Sequence, residues 1–219
     1  MIELALGRDP DAPVRVLCLG AHSDDIEIGC GGTILRLLAE RRNVEVLWVV
    51  FSGSTARQQE ARCSAELFLR RAARTEVITH NFRDGFFPYQ GAELKEAFEE
   101  LKRRTSPDVI FSHHGQDMHQ DHRLVAELTW NTFRDHLVLE YEIPKYDGDL
   151  TSPNMFVALD RPTCELKVSH LVEAFMSQRE KRWFAERTFE SLMRLRGIEC
   201  ASPTGFAEGY HTRKSLLRI

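Results

Sequence analysis

Val14-Arg15-Val16-Leu17-Cys18-Leu19-Gly20-Ala21-His22-Ser23-Asp24-Asp25 decides how the rest of the chain is read. Residues Val14–Leu19 form an apolar run of strand length that stops at a glycine, as a buried strand does, and ligand-type side chains follow at once. Outward from it, Thr33–Arg41 has apolar residues at helical spacing and Val44–Phe51 is a second unbroken apolar strand. A helical stretch over 56–73, a short strand at Glu76–Thr79, a charged amphipathic helix at Glu93–Arg104 and a strand at Asp108–Ser112 come next. Leu124–Phe133 has helical spacing, and Leu137–Glu140 is apolar again. Strands that are apolar throughout, alternating with helices, belong to a parallel sheet covered on both faces, so the expected class is α/β, Rossmann-like and mostly parallel.

Beyond residue 142 the pattern becomes irregular. Ile143–Asn154 is a long loop of the kind that borders a site. Met155–Leu159 is a further strand, Thr163–Ser177 and Arg182–Leu195 are helices, and Gly197–Gly209 is expected to be a loop. With no repeat and no linker, residues 1–219 are expected to form one domain, the part after about 142 elaborating it.

The composition excludes several classes. Of 219 residues, 42% are hydrophobic and 28% charged, the balance of a globular chain. The formal net charge of −4 leaves no basic excess for a phosphate backbone, so no nucleic-acid partner is expected. No apolar run reaches the roughly 20 residues that span a bilayer, and the first residues lack the apolar core of a signal peptide. Five scattered cysteines without a CxxC fit reduced thiols, hence a cytoplasmic location.

Chemistry concentrates in two segments, each directly after a strand, at the sheet edge where open α/β proteins bind ligands. One is Ala21–Asp25; the other is His113–His122, which holds four of the nine histidines. Two imidazoles and a carboxylate bind zinc and leave a position open for water, and His22, Asp25 and His122 supply that set. Of the paired carboxylates, Asp25 would bind the ion and Asp24 would stay free as a general base. His119, three residues before His122, would lie on the same helix face and stabilise a developing oxyanion. A neighbouring Asp117 or Asp121 would raise its pKa and favour the imidazolium.

The block from Ala21 to Gly32 (AHSDDIEIGCGG) and the later His119-Gln120-Asp121-His122 resemble the AHPDDE…GxGG and HPDH signatures of the LmbE-like, or PIG-L, zinc-dependent N-deacetylases. The resemblance covers about the first 135 residues. It implies a Rossmann-like sheet and removal of an acetyl group from an N-acetylated amino sugar or sugar conjugate, a small-molecule substrate. It also implies Zn2+, or another divalent transition metal, on His22, Asp25 and His122, with Asp24 as base and His119 beside the reacting group. Asp121 is implied to hold an imidazole in orientation, and Arg57 and Asp84 to bind substrate. Ser23 and Gln120 replace prolines, Ile26 replaces a common glutamate so that no third acid stands beside the pair, and Asp117 stands where some members carry an oxyanion-binding tyrosine. Tyr89 is a remote substitute for that tyrosine.

Several features have a plainer reading. Gly29, Gly31 and Gly32 lack the lysine and Ser/Thr of a phosphate loop, so they indicate close packing beside the metal loop. Phe86-Phe87-Pro88-Tyr89 is either a sugar-stacking wall or a core cap, and Glu208-Gly209-Tyr210-His211 is a segment able to reach the cleft. Two other function classes fit parts of the pattern. His22-x-Asp24 matches the local spacing of a non-haem iron oxygenase, and an acidic pair after the first strand suits a magnesium-binding receiver domain. A homo-oligomer is compatible with everything above.

Overall fold

The computed structural model describes residues 3–7, 9 and 11–216. The run Val14–Gly20 becomes β1, the third strand in a seven-stranded sheet. The others are β2 (Val44–Ser52), β3 (Arg74–Phe82), β4 (Val109–His113), β5 (Leu137–Tyr141), β6 (Met155–Leu159) and β7 (Phe206–His211), in the spatial order β3-β2-β1-β4-β5-β7-β6. Strands β1 to β5 pair in parallel, while β7 runs antiparallel to both β5 and β6. Six α-helices surround the sheet: α1 (Asp25–Glu40), α2 (Thr55–Phe68), α3 (Gly91–Arg104), α4 (Gln120–Thr132), α5 (Arg161–Ala174) and α6 (Glu186–Glu199).

The unbroken hydrophobicity of the strands follows from the two layers. Val16, Cys18, Trp48, Val50 and Phe111 face a core shared with α1, α2 and α5. Leu17, Leu19, Val49, Phe51 and Ile110, one residue out of phase, face a second core under α3 and α4. Successive side chains of a strand point to opposite faces, so burying both faces removes any alternation. From β1 the chain moves outward through β2 and β3 and then returns to β4 on the other side. The crevice at the carboxyl ends of β1 and β4 is therefore the switch point where such sheets take ligands.

The helix after β1 begins at Asp25, eight residues earlier than the apolar spacing indicates. Glycines hide its start, and tertiary packing overrides their low helix propensity. A Cβ on Gly29 would stand 2.2 Å from the Tyr141 ring, one on Gly31 2.6 Å from Phe68, and one on Gly32 2.6 Å from Leu159. These three residues let α1 lie close against the sheet and α2, which favours packing over a phosphate cradle. The expected loop Gly197–Gly209 is also corrected, since α6 runs to Glu199 and residues from Phe206 onward form β7. That strand escapes notice because Glu208 and Gly209 interrupt its apolar character. Glu208 is nonetheless buried and paired with Lys167 Nζ at 2.6 Å. Its carboxylate also accepts the Gly32 and Thr33 amides of α1 at 2.9 and 2.7 Å, while Lys167 donates to the Ile28 carbonyl at 2.6 Å.

Candidate metal centre

β1 ends at Gly20 and the next turn presents His22, while Asp25 opens α1. β4 ends at His113, and the loop behind it delivers Asp117, His119 and the first turn of α4 with His122. His22 Nδ1 lies 3.0 Å from His122 Nε2 and 3.3 Å from Asp25 Oδ2, and the last two atoms are 3.5 Å apart. Ligand atoms around a tetrahedral zinc ion with bonds of about 2.0–2.1 Å stand ~3.3 Å from one another. The three atoms thus fit three corners of such a site. The cluster is also short of positive charge. Although burial opposes it, Asp25, Asp121 and Asp84 hold the His22 imidazole well above its ordinary pKa.

The surrounding groups fix the rings. His122 Nδ1 is 2.9 Å from Asp117 Oδ2, and the same oxygen accepts from Lys145 Nζ at 2.9 Å. On the far side of His22, Nε2 faces Asp84 Oδ1 at 3.1 Å and Asp121 Oδ2 at 3.3 Å. Asp121 therefore lies within hydrogen-bond distance of the His22 imidazole. It also accepts the Gly85 amide at 2.6 Å and the Phe87 amide at 3.1 Å, which ties the loop after β3 to the centre. Carboxylates on the second nitrogen of a ligating imidazole set its tautomer and raise its basicity. Asp117 is committed to this task and to the His119 amide at 2.8 Å, so it does not stand in for the missing tyrosine. Nor does Tyr89, which is exposed beside Phe86.

His113 is buried 3.1 Å from Asp25 Oδ2, a neighbour the sequence reading left without a role. Its Nε2 accepts the Ala21 amide at 2.9 Å, so that lone pair is already engaged.

Asp24 is not a corner of the triangle. Its Oδ1 accepts from Arg57 Nη2 at 2.8 Å, and its buried Oδ2 has no partner among the described residues. Burial raises the Asp24 pKa, with Arg57 opposing the rise. The His22-x-Asp24 pairing that an iron oxygenase would use is therefore not the one formed; Asp25 completes the triangle. Arg57 is also held by Glu60 Oε2 at 2.8 Å and Ser177 Oγ at 3.2 Å. The sequence suggests no third acid beside the pair, yet Glu27 is fully buried on the next turn-face of α1. Burial pushes its carboxyl up to about 8, so it carries its proton at neutral pH and adds no charge.

His119 lies outside α4, as its N-cap rather than in its first turn. Its Nδ1 accepts the Asp121 amide at 3.3 Å, so the neutral ring carries its proton on Nε2. Burial, followed by the charge of His22, lowers its pKa despite the nearby carboxylates. The expected imidazolium is thus replaced by a neutral donor. Its ring meets that of His22 edge-on with centroids 4.8 Å apart. Of the C-terminal candidates, Glu208 and Tyr210 are buried on α1, Tyr210 reaching Thr33, and His211 stacks on His114 at 3.8 Å. Phe87 caps a core beneath His22, while Phe86 remains at the surface.

Residues 17–133 match the family model described as PIG-L, GlcNAc-PI de-N-acetylase. An uncharacterized deacetylase of Escherichia coli (strain K12), YaiS, is 29% identical over 157 residues, spanning 66% of this chain and 82% of that protein. Among solved structures, the N,N'-diacetylchitobiose deacetylase of Pyrococcus horikoshii superposes with a TM-score of 0.71 at 22% identity, covering 90% of this chain and 83% of that one. GalB, the 4-carboxy-2-hydroxymuconate hydratase of Pseudomonas putida KT2440, gives 0.72 at 18% identity, covering 94% and 98%. Likeness at these identities is one of fold, and this fold supports more than one reaction. With the segments Ala21–Asp25 and His113–His122 inside the matched span, the chain belongs to the PIG-L family of LmbE-like proteins.

Proposed function

We propose that the protein is a metal-dependent deacetylase that removes the N-acetyl group from an amino sugar or sugar conjugate. The observation that carries this reading is the triangle of His22, Asp25 and His122 beside a buried carboxylate, Asp24, one oxygen of which has no partner among the described residues. A zinc-type ion held by those three residues would polarise the acyl oxygen and activate the attacking water. Asp24 Oδ2 takes the proton of that water and returns it to the departing amine, while Arg57 holds Oδ1 and fixes the direction of the free oxygen. His119 donates Nε2–H to the acyl oxygen as negative charge develops there. Asp84, whose side chain is 73% exposed, stands at the mouth of the site within reach of sugar hydroxyls.

Membership of the family and the relatives' activities support the amide substrate; the choice of sugar, zinc as the native ion and a cytoplasmic location belong to the proposal. Among the described residues no helix is long and apolar enough to cross a membrane, and the five cysteines are unpaired. A receiver domain would leave the convergence of His119 and His122 on the acidic pair without use. The test is acetate release from a panel of N-acetyl sugars by the metal-loaded protein, with Asp24→Asn as control. Turnover that falls about 10²–10⁴-fold in the variant while bound metal is kept supports the reading. Wild-type turnover in Asp24→Asn, or no acetate from any member of the panel, overturns it.

A further inference from the structure

We propose that Lys145 is a positioning residue of the metal centre: its ammonium lets two buried carboxylates, Asp117 and Asp149, stand side by side, and so keeps Asp117 aimed at His122. The proposal rests on the reading of that centre above and adds to it a part contributed by the loop between β5 and β6. That loop is turned inside out by composition. Lysine and aspartate are almost never buried unless paired, yet the side chains of Lys145 and Asp149 are only 10% and 7% exposed. Tyr146 and Leu150, in the same loop, are 73% and 43% exposed. Charge faces inward and apolar surface faces water, so a polar contact inside orders the loop.

That contact is with the segment that leads to His122. Lys145 Nζ lies 2.9 Å from Asp117 Oδ2 and 2.5 Å from Asp149 Oδ2. Asp149 Oδ2 also accepts the Met118 amide at 2.7 Å, and Asp117 Oδ2 lies 2.9 Å from His122 Nδ1. Two carboxylates on one ammonium nitrogen, largely out of water, repel one another strongly once the cation is removed. Asp117 Oδ2 is the oxygen that faces both Lys145 and His122, so this repulsion acts directly on the contact that orients the imidazole.

The loop is not free to drift outward and relieve it. Arg196, buried on α6, donates from Nε and Nη2 to Glu142 at 2.9 and 2.7 Å, and from Nη2 to the Thr151 carbonyl at 2.9 Å. Both roots of the loop are thereby held by one guanidinium. Lys145 thus acts through Asp117 on His122 rather than on the ion itself.

The experiment measures the zinc affinity of the full chain by competition with a chromogenic chelator. Lys145→Met should weaken zinc binding at least about 10-fold, as loss of an imidazole's oriented partner does. Adding Asp149→Asn removes the stranded charge and keeps an oxygen for the Met118 amide. The pair Lys145→Met/Asp149→Asn should therefore bind zinc within about 3-fold of the wild type, a merely mechanical role for the loop giving no such rescue. In an Asp117→Asn background, Lys145→Met should change the affinity by no more than about 3-fold, because the residue it acts through is already neutral. Wild-type affinity in Lys145→Met, a pair variant as weak as Asp117→Asn, or additive losses in the Asp117→Asn background each overturn the proposal. Where Lys145→Met alone does not fold, the pair variant decides. No zinc bound by the wild type would instead overturn the metal centre on which the proposal rests.

Discussion

Arg57 Nη2 lies 2.8 Å from Asp24 Oδ1, which joins the arginine implied by family resemblance to bind substrate to the residue placed as base. With Glu60 and Ser177 on its other nitrogen, the guanidinium is committed to the protein. Arg57→Ala should therefore lower kcat by about 10-fold or more rather than raise KM, because the free oxygen of Asp24 loses its direction. Leaving a largely buried carboxylate unpaired should also cost about 1–3 kcal/mol of folding stability. Steady-state kinetics with denaturant melts checks both; a raised KM with unchanged kcat would return Arg57 to the substrate.

Asp117 anchors His122 from a loop outside the matched signature residues, at 2.9 Å. Asp117→Asn should weaken metal binding about 10–100-fold, as removal of such a partner does elsewhere. Competition with a chromogenic chelator measures it, and unchanged affinity would reduce Asp117 to a loop contact.

His119→Ala should lose about 10²–10³-fold in kcat with the tightly bound metal retained. His119→Gln should keep part of that rate, because an amide N–H can still donate from a similar distance. Equal losses in the two variants would argue against hydrogen-bond donation as the role.

Gly29→Ala puts a methyl group where the Tyr141 ring lies, 2.2 Å from the new carbon. Overpacking of this kind costs about 1–3 kcal/mol, so the melting temperature should fall. Gly91→Ala, also on a helix but with no atom within 4 Å of the added carbon, serves as a comparison.

His211 sits against the His114 ring, and burial followed by that neighbour lowers its pKa to about 4. In the unfolded chain an ordinary histidine takes its proton near 6.5. Between those values the unfolded state binds more protons, so this contribution to stability is present above pH 6.5 and lost as the pH falls toward 4. Denaturant melts of the metal-free protein at pH 7 and pH 5 should show a smaller difference for His211→Gln than for the wild type. An equal difference would mean that His211 titrates alike in both states.

The parallel sheet is legible because Val16–Leu19, Val46–Phe51 and Val109–Phe111 are buried on both faces and carry no charged residue. The three corners of the candidate metal site are legible for a different reason: His22, Asp25 and His122 belong to ligand-rich runs that directly follow strands. What surrounds them is not. Lys145 meets Asp117 across 28 residues of chain, and no local spacing encodes that contact. The neutral state of His119 depends on the backbone amide two residues away donating to its Nδ1, a matter of loop geometry. β7 stays hidden because Glu208 is apolar in neither composition nor pattern; its burial is repaid by Lys167 on a distant helix.

The grip of Glu208 and Lys167 on α1 bears on how far the protein can be shortened. The family match ends at residue 133, yet the amides of Gly32 and Thr33 and the carbonyl of Ile28 find partners at positions 208 and 167. Tyr141, which fills the hollow at Gly29, also lies past that boundary. A chain cut at residue 133 would keep every proposed ligand and lose the clamp on the helix that begins with one of them. Minimal versions for engineering must therefore extend through β7, and the less recognisable C-terminal part of the sequence is where variation can retune the proposed metal loop without touching it.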